Sequence, residues 1–426
     1  MSRLARAERE DHDERHAQFL KHRYRQHQHG PGCPYRAANV FFRPSIEILS
    51  TCDVAWPHPG AGLQILFFGL TISSSWGNGH ATPYRALFRA LHQQGIRTIF
   101  YEQDVPYYAK HRDFTECDYC DLVFYDKWDD VRQRAMREAR NSDVVITASY
   151  LPEGSRISAE LLAIEGPLHV FYDMDTPITL AQMQNQGVAY LRAELIPEFD
   201  LYLSFTGGKI LKTLTQGYGA QLARPLYGCV DPDEYVRVVS DSRFACDLSF
   251  MGTYAPDRAN GIRELFVGAA EALPSQSFLL AGSLYPREWS WPANVTRAEH
   301  ISPAQHPALY SSSRATLNLT RNEMVRAGYC PSGRFFEAAA CSTPLLTDLW
   351  EGLEHFFDPA EELTVVHTTE DVVQALQLPQ EELKRRAARA RERTLDQHTG
   401  QQRAKEFLAY CEEARLSRPS VLETFS

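Results

Sequence analysis

Long apolar runs are missing from this chain. No stretch reaches the ~18–20 consecutive apolar residues that a membrane helix needs, and the longest strand-like run, Leu63–Leu70, is interrupted at Gln64. A secretory leader is not expected, because the first twenty residues are crowded with Arg, Glu and Asp where such a leader has an apolar core. Cysteine is sparse, nine in 426 residues. Without an export signal these are expected to be reduced thiols and not a disulfide framework. Basic charge is scarce as well: 44 Lys and Arg stand against 54 Asp and Glu, a formal charge of −10, with no long basic segment. A nucleic-acid partner is therefore not expected.

What is present is an ordinary globular mixture, 44% hydrophobic and 23% charged. The length exceeds the roughly 250–300 residues that one core sustains, so two domains, a cytoplasmic location and the size of an enzyme are the expectations. Residues 1–45 read as a flexible arm. Five histidines, His12, His16, His22, His27 and His29, mix there with Arg and Glu and run into Gly30-Pro31-Gly32-Cys33-Pro34, leaving little apolar surface to offset ordering. His12 and His16 are spaced to clamp a metal on a helix, but no Cys or carboxylate completes such a site.

From residue 63 the pattern changes. LQILFFGL is an apolar run of the kind buried on both faces of a sheet. The turn SSWGNGH (Ser74–His80) follows it, then a helical spacing of Tyr84, Leu87, Phe88 and Leu91, a stop at Gly95, and a second strand at Thr98–Asp104. That is one right-handed parallel crossover. Further strands are expected at Val144–Ala148, Leu168–Tyr172 and Leu201–Phe205. After Pro225 a second series begins, at Leu248–Met251, Phe278–Ala281, Thr316–Leu319 and Pro344–Thr347, with helices near 257–272, 303–311 and 332–341. Two doubly wound α/β domains follow, at 46–230 and 231–400. Glu381–Leu416 has helical composition throughout, and the segment 401–426 is expected to pack back across the domain junction.

Ligands of open α/β sheets sit at the carboxyl ends of strands, where main-chain N–H groups and helix N-termini meet anions. Three junctions qualify. Gly77 and Gly79 admit a ligand close to the main chain, and His80 stands at the helix entrance; Glu102 and Asp104 at the next strand end imitate the acid of a dinucleotide fingerprint, although its third glycine is replaced by Thr82. In SFMGTYAPDR, Gly252 and Thr253 offer main-chain N–H and a hydroxyl, and Arg258 a fork suited to phosphate oxygens. In NLTRNEMVRAGYCPSGRFFEAAACSTPLLTD (Asn318–Asp348), Arg321, Arg326 and Arg334 gather near Ser332, while Glu337 lies in an apolar helix where a carboxylate needs a partner. A ribose diol is one such partner and Arg334, at i−3, is another. Cys117-Asp118-Tyr119-Cys120 lacks the second pair that zinc requires and reads as structural or incidental. Asp173-x-Asp175 has the spacing of a metal-binding aspartate pair but ends a strand of the first domain. Asn294-Val295-Thr296 is a formal glycosylation sequon.

The run GYCPSGRFFEAAACSTPLLTD with EGLEHFF, preceded by SFMGTYAPDR, resembles the carboxyl-terminal domain of CgeB-like (spore-maturation type) glycosyltransferases, and SSWGNGH is similar to the amino-terminal glycine-rich loop of GT-B enzymes. The resemblance spans residues 63–400. It implies the GT-B fold, two Rossmann-like domains facing across a cleft, with a nucleotide-sugar donor on the second domain and an acceptor of unknown kind (glycan, protein or small molecule) on the first. It implies no cofactor beyond that co-substrate. Glu337 matches the ribose-binding second glutamate of the family's glutamate-x7-glutamate motif, whose first position is Tyr329 here. Gly252, Thr253, Arg258, Arg326, Ser332, Arg334 and Glu337 are thus expected at the donor, with the arginines taking the leaving diphosphate without a metal. His80 is the expected base toward the acceptor and Asp175 the second candidate. An epimerase or phosphorylase on the same fold, or a non-catalytic nucleotide or glycan binder, are the competing readings.

Overall fold

In the computed structural model of the chain, residues 62–418 are described. The arm expected at 1–45, with its histidines, and the tail beyond residue 418 lie outside the described residues.

The first domain runs β1 (Gln64–Gly69), α1 (Ala81–Gln93), β2 (Arg97–Gln103), β3 (Asp121–Tyr125), α2 (Trp128–Arg140), β4 (Val144–Ala148), α3 (Gly154–Leu162), β5 (Leu168–Asp173), α4 (Thr176–Asn185), β6 (Leu201–Ser204) and β7 (Ala223–Pro225). Its strands order as β3-β2-β1-β4-β5-β6-β7, every neighbouring pair parallel. β1 explains why the sheet needs helices on both faces. Ile65 and Phe67 join the cluster containing Tyr84, Leu87 and Phe88 of α1; Leu66 and Phe68 join Trp128 and Ala135 of α2 and Ile157 of α3 on the other face. Period-2 alternation thus sends successive apolar side chains into two different cores. Gly95, at φ +77°, closes α1 in the left-handed region, where glycine has no Cβ to strain.

The second domain repeats the plan. It runs β8 (Cys246–Met251), β9 (Phe278–Ala281), β10 (Val295–Ala298), α5 (His306–Ser312), β11 (Ser313–Asn318), α6 (Asn322–Ala327), α7 (Gly333–Ala340), β12 (Leu345–Thr347), β13 (Thr364–Val365), α8 (Thr369–Gln377), α9 (Gln380–Gln397) and α10 (Gly400–Ser417). The sheet order is β10-β9-β8-β11-β12-β13, again wholly parallel. Each sheet reverses strand order beside its first strand, at β1/β4 and at β8/β11. These are the places where an open α/β sheet leaves a crevice at its carboxyl edge. The fold class read from the sequence, two doubly wound Rossmann-like domains across a cleft, is the fold observed.

The charged carboxyl-terminal stretch is not one helix. It breaks between α9 and α10 at His398 and Thr399, where the chain pairs with the outgoing linker: Val230 N–H donates to the His398 carbonyl (3.0 Å) and Gly400 N–H to the Val230 carbonyl (2.9 Å). Thr399 caps α10, its hydroxyl accepting from Gln402 N–H. α10 then lies on α1 of the first domain, so close at its start that a Cβ on Gly400 would stand 2.3 Å from the Ala86 carbonyl oxygen. Arg403 ties the crossing down by donating to the carbonyls of Tyr227 (3.2 Å) and Gly228 (3.3 Å) and pairing with Glu406.

Candidate active site

The two switch points face one another across a cavity of about 310 Å³. The first domain contributes the glycine-rich turn after β1 and the end of β5. The second contributes the loops after β8, β9 and β11 and the start of α7.

The turn after β1 is shaped by Glu102, the acid that imitated a ribose-binding residue. It is fully buried, and its oxygens accept from Thr71 Oγ1 (2.8 Å), Ile72 N–H (2.9 Å), Ser73 N–H (3.0 Å) and Ser73 Oγ (2.5 Å). A carboxylate so fully occupied fixes the loop and leaves nothing for a ribose, and Asp104 is paired with Arg112. The superficial dinucleotide likeness of this turn, already broken at Thr82, thus has no ribose-binding acid behind it. Gly77, at φ +60°, needs to be glycine for its backbone; Gly79 has nothing within 4 Å of where a Cβ would stand and borders the open cavity. His80 follows, buried at the mouth of α1, its N–H donating to Asn78 Oδ1 (3.0 Å).

Across from His80, Asp175 also lines the cavity and accepts from the Tyr150 hydroxyl (2.8 Å). The Tyr150 ring lies 5.4 Å from the His80 ring, so one phenol touches both candidate proton-handling groups. Sequence reasoning missed Tyr150. Its φ of +65°, just after β4, is the signal, since a bulky residue is held there only when its surroundings fix it. Asp173 is a structural group instead: wholly buried, it accepts from Tyr202 Oη (2.7 Å), Thr179 Oγ1 (3.0 Å) and Asp175 N–H (3.0 Å). Burial pushes its carboxyl up to about 6 against those bonds. Asp173 and Asp175 are thus separately committed and do not form a pair. No group of three or more His, Cys, Asp or Glu side chains among the described residues is placed to hold a metal ion.

On the other wall, main chain and guanidinium groups interlock. Arg334 donates from Nη1 to the Met251 carbonyl and from Nε to Ser332 Oγ (3.2 Å). Arg258 donates to the carbonyls of Thr253 and Leu319 and lies over the Phe250 ring at 5.4 Å. Gly252 is glycine because a Cβ there would stand 2.2 Å from Arg334 Nη1 and 3.0 Å from Arg258 Nη2. Gly282 comes closer still, with its Cβ position 2.0 Å from the Gly252 carbonyl oxygen. Ser332 precedes α7 and Glu337 lies within it, one turn down and buried, yet both border the cavity.

Glu337 does not pair with Arg334. Its Oε2 is 3.5 Å from the Tyr310 hydroxyl and 3.6 Å from His306 Nδ1. The His306 ring is oriented by two further contacts, Nε2 to the Ile301 carbonyl (3.1 Å) and Nδ1 to Tyr235 Oη (3.2 Å). A carbonyl only accepts, so Nε2 carries a hydrogen toward Ile301 and Nδ1 faces Tyr235 and Glu337. The contacts to Glu337 are long, and the carboxylate sits at the cavity wall with weakly engaged neighbours.

One expected donor residue is misplaced. The Arg326 side chain is 72% exposed and pairs with Glu323 (2.9 Å) on the outer face of α6, away from the cavity. Arg321, five residues earlier at the N-cap of α6 and paired with Asp257 (3.3 Å), lines the cavity in its stead. Tyr329 is not at the cavity either. At φ +47° it packs its ring on Gly208 and Gly352, while its carbonyl accepts from Gly207 N–H (3.0 Å). It therefore serves the contact between domains. A further contact spans the halves at the cavity: the Trp76 ring, stacked 4.1 Å from His111, lies 4.3 Å from His300 of the second domain.

Residues 258–409 match the model of a family described as glycosyl transferase-like. No curated protein matches the sequence. Among solved structures, sucrose-phosphate synthase from Thermosynechococcus elongatus is similar with a TM-score of 0.58 at 14% identity, covering 84% of this chain and 100% of its own. HepE from Anabaena, solved with UDP-glucose, gives 0.55 at 10%, covering 84% and 100%. An α-glucosyltransferase in complex with UDP and a 13-mer DNA containing a HMU base gives 0.60 at 13%, covering 82% and 100%. At such identities the likeness is one of fold, and that fold is GT-B. With the matched domain it supports a glycosyltransferase. No helix among the described residues is long and apolar enough to cross a membrane.

Proposed function

We propose that the cleft holds a nucleoside-diphosphate sugar against the second domain and passes its sugar, without a metal, to an acceptor seated on the first. The single observation that carries this reading is Glu337: a buried carboxylate at the cavity wall, one turn from a helix start flanked by Ser332 and Arg334. A ribose diol supplies two hydroxyl donors to one carboxylate. A diphosphate placed next to it meets the N–H groups that open α7, together with Arg334 and Arg258. UDP-sugars are the first donors to try, given the UDP and UDP-glucose held by the structural neighbours.

Charge then organises the transfer. As the bond from the anomeric carbon to the diphosphate breaks, negative charge grows on the phosphate oxygens. Guanidinium groups already fixed by main-chain carbonyls stabilise it with little reorganisation. Arg321 takes the place that the sequence had suggested for Arg326. On the first domain His80 accepts the proton of the acceptor hydroxyl, while Tyr150 holds Asp175 beside it. The run GYCPSGRFFEAAACSTPLLTD supports a CgeB-like member of the group.

A thermal-shift panel of nucleotide sugars, with nucleoside-diphosphate release assayed beside it, tests the proposal. One or a few donors should raise the unfolding temperature, since a ligand that binds only the folded state adds RT ln(1 + [L]/Kd), and the same donors should be turned over. Turnover without any acceptor other than water or phosphate would favour a phosphorylase or hydrolase, and binding without turnover a non-catalytic binder.

A further inference from the structure

The Cys117-x-x-Cys120 pair, left aside by the cleft, occupies a position with consequences for it. The two Sγ atoms lie 3.4 Å apart, Cys117 partly exposed and Cys120 buried in the core of the first domain. The other five described cysteines are buried thiols. The Cys120 thiol and the main-chain N–H groups of Tyr119 and Cys120 draw the Cys117 thiol down to about 7 against its own burial, whereas Cys120 is pushed far up by its bond to Cys117 and by burial. One sulfur is thus the accessible nucleophile and its neighbour the one positioned to resolve.

The pair ends a strap, residues 110–120, that is laced onto the glycine-rich turn. Asp113 N–H donates to the Ser73 carbonyl (2.8 Å), and its carboxylate accepts from Ser75 N–H (2.9 Å) and pairs with Arg85 (2.6 Å). The Ser74 hydroxyl donates to the His111 carbonyl (2.7 Å), and the His111 ring stacks on Trp76. A disulfide has its sulfurs ~2.05 Å apart. Closing the pair draws the sulfurs together four residues along the strap from Asp113, which is bonded to the turn that presents His80.

We propose that Cys117 and Cys120 form a thiol–disulfide exchange site whose closure alters the glycine-rich turn at the cleft. The oxidant is a small disulfide, RSSR. The Cys117 thiolate attacks one of its sulfurs, forming Cys117–S–SR and releasing RS⁻, which takes up a proton. The Cys120 thiol, losing its proton to solvent, then attacks the Cys117 sulfur, closing the Cys117–Cys120 bond and expelling the second RS⁻. The protein loses two protons and two electrons, and RSSR becomes two RSH.

The whole chain treated with oxidised glutathione, then alkylated and digested, tests the proposal. Wild type should yield the Cys117–Cys120 bridge with no retained glutathione, reversed by dithiothreitol. Cys120→Ser should stop at a glutathione adduct on Cys117, and Cys117→Ser should leave Cys120 unmodified. Hydrogen exchange of residues 73–80 should differ between oxidised and reduced wild type and stay unchanged in treated Cys117→Ser. A persistent adduct on wild-type Cys117, an unreactive pair, or a bridge that leaves exchange at 73–80 unaltered would each overturn it. None of these readouts depends on sugar transfer.

Discussion

Asp173 and His80 carry opposite kinds of constraint. Asp173 is buried and hydrogen-bonded but lifted to about 6, above the ~3.9 of an unfolded aspartate. The folded state therefore retains a proton that the unfolded chain has already released. Its stabilising contribution is full below about pH 4 and is lost as pH rises through about 6. Asp173→Asn keeps the shape and removes the titration. Urea unfolding at pH 4 and pH 7 should show the variant gaining on wild type by roughly 2–3 kcal/mol between the two; a constant difference would mean that Asp173 does not titrate there. His80, in contrast, is the proton acceptor of the proposed transfer. His80→Ala should lower kcat by roughly 10²–10⁴-fold, and an unchanged kcat would assign the base elsewhere, to Asp175 first.

Among the elements, glycines mark the closest approaches. Gly400→Ala would drive a Cβ to 2.3 Å from a main-chain oxygen of α1, and backbone cannot swing aside as a side chain does. A loss of about 1–3 kcal/mol by chemical unfolding is expected; no loss would show that α10 is not held close against α1. Gly252→Ala meets the ends of two arginines instead, so it should spare stability and weaken donor binding by displacing Arg334, as a titration would register. Much of this was legible in the sequence because central strands such as β1 and β4 are continuous apolar runs, which read the same in any register. The short edge strands β3, β7, β10 and β13 were not. They begin on polar residues or hold only two to five residues, and they owe their state to pairing with a neighbour. At the site, Glu337 and Arg334 were legible as charges in an apolar setting. Arg326 was misread because proximity in sequence does not decide which arginine faces the cleft: Arg321 stands on extended backbone just before α6 and lines it, whereas Arg326 projects from the helix to solvent. Tyr150 and the Trp76–His300 contact join residues distant in the chain and leave no local pattern.

At the scale of the whole molecule, the two Rossmann-like halves line one cavity from opposite sides. The chain crosses between them at 225–231 and returns at 397–400, two adjacent strands of backbone bonded to each other, while Tyr329 and Trp76 make contacts across the halves away from that crossing. Such an arrangement lets the cleft be built from both domains while each keeps its own ligand surface. In the proposed transfer the donor belongs to the second half and the chemistry toward the acceptor to the first. Calorimetric titration of the nucleotide sugar selected by the thermal-shift panel, into wild type, Glu337→Ala and His80→Ala, tests that division most directly. Wild type and His80→Ala should bind one equivalent with similar affinity, and Glu337→Ala at least about tenfold more weakly, the cost of one charged hydrogen-bonding partner. Equal affinity in wild type and Glu337→Ala would contradict the account.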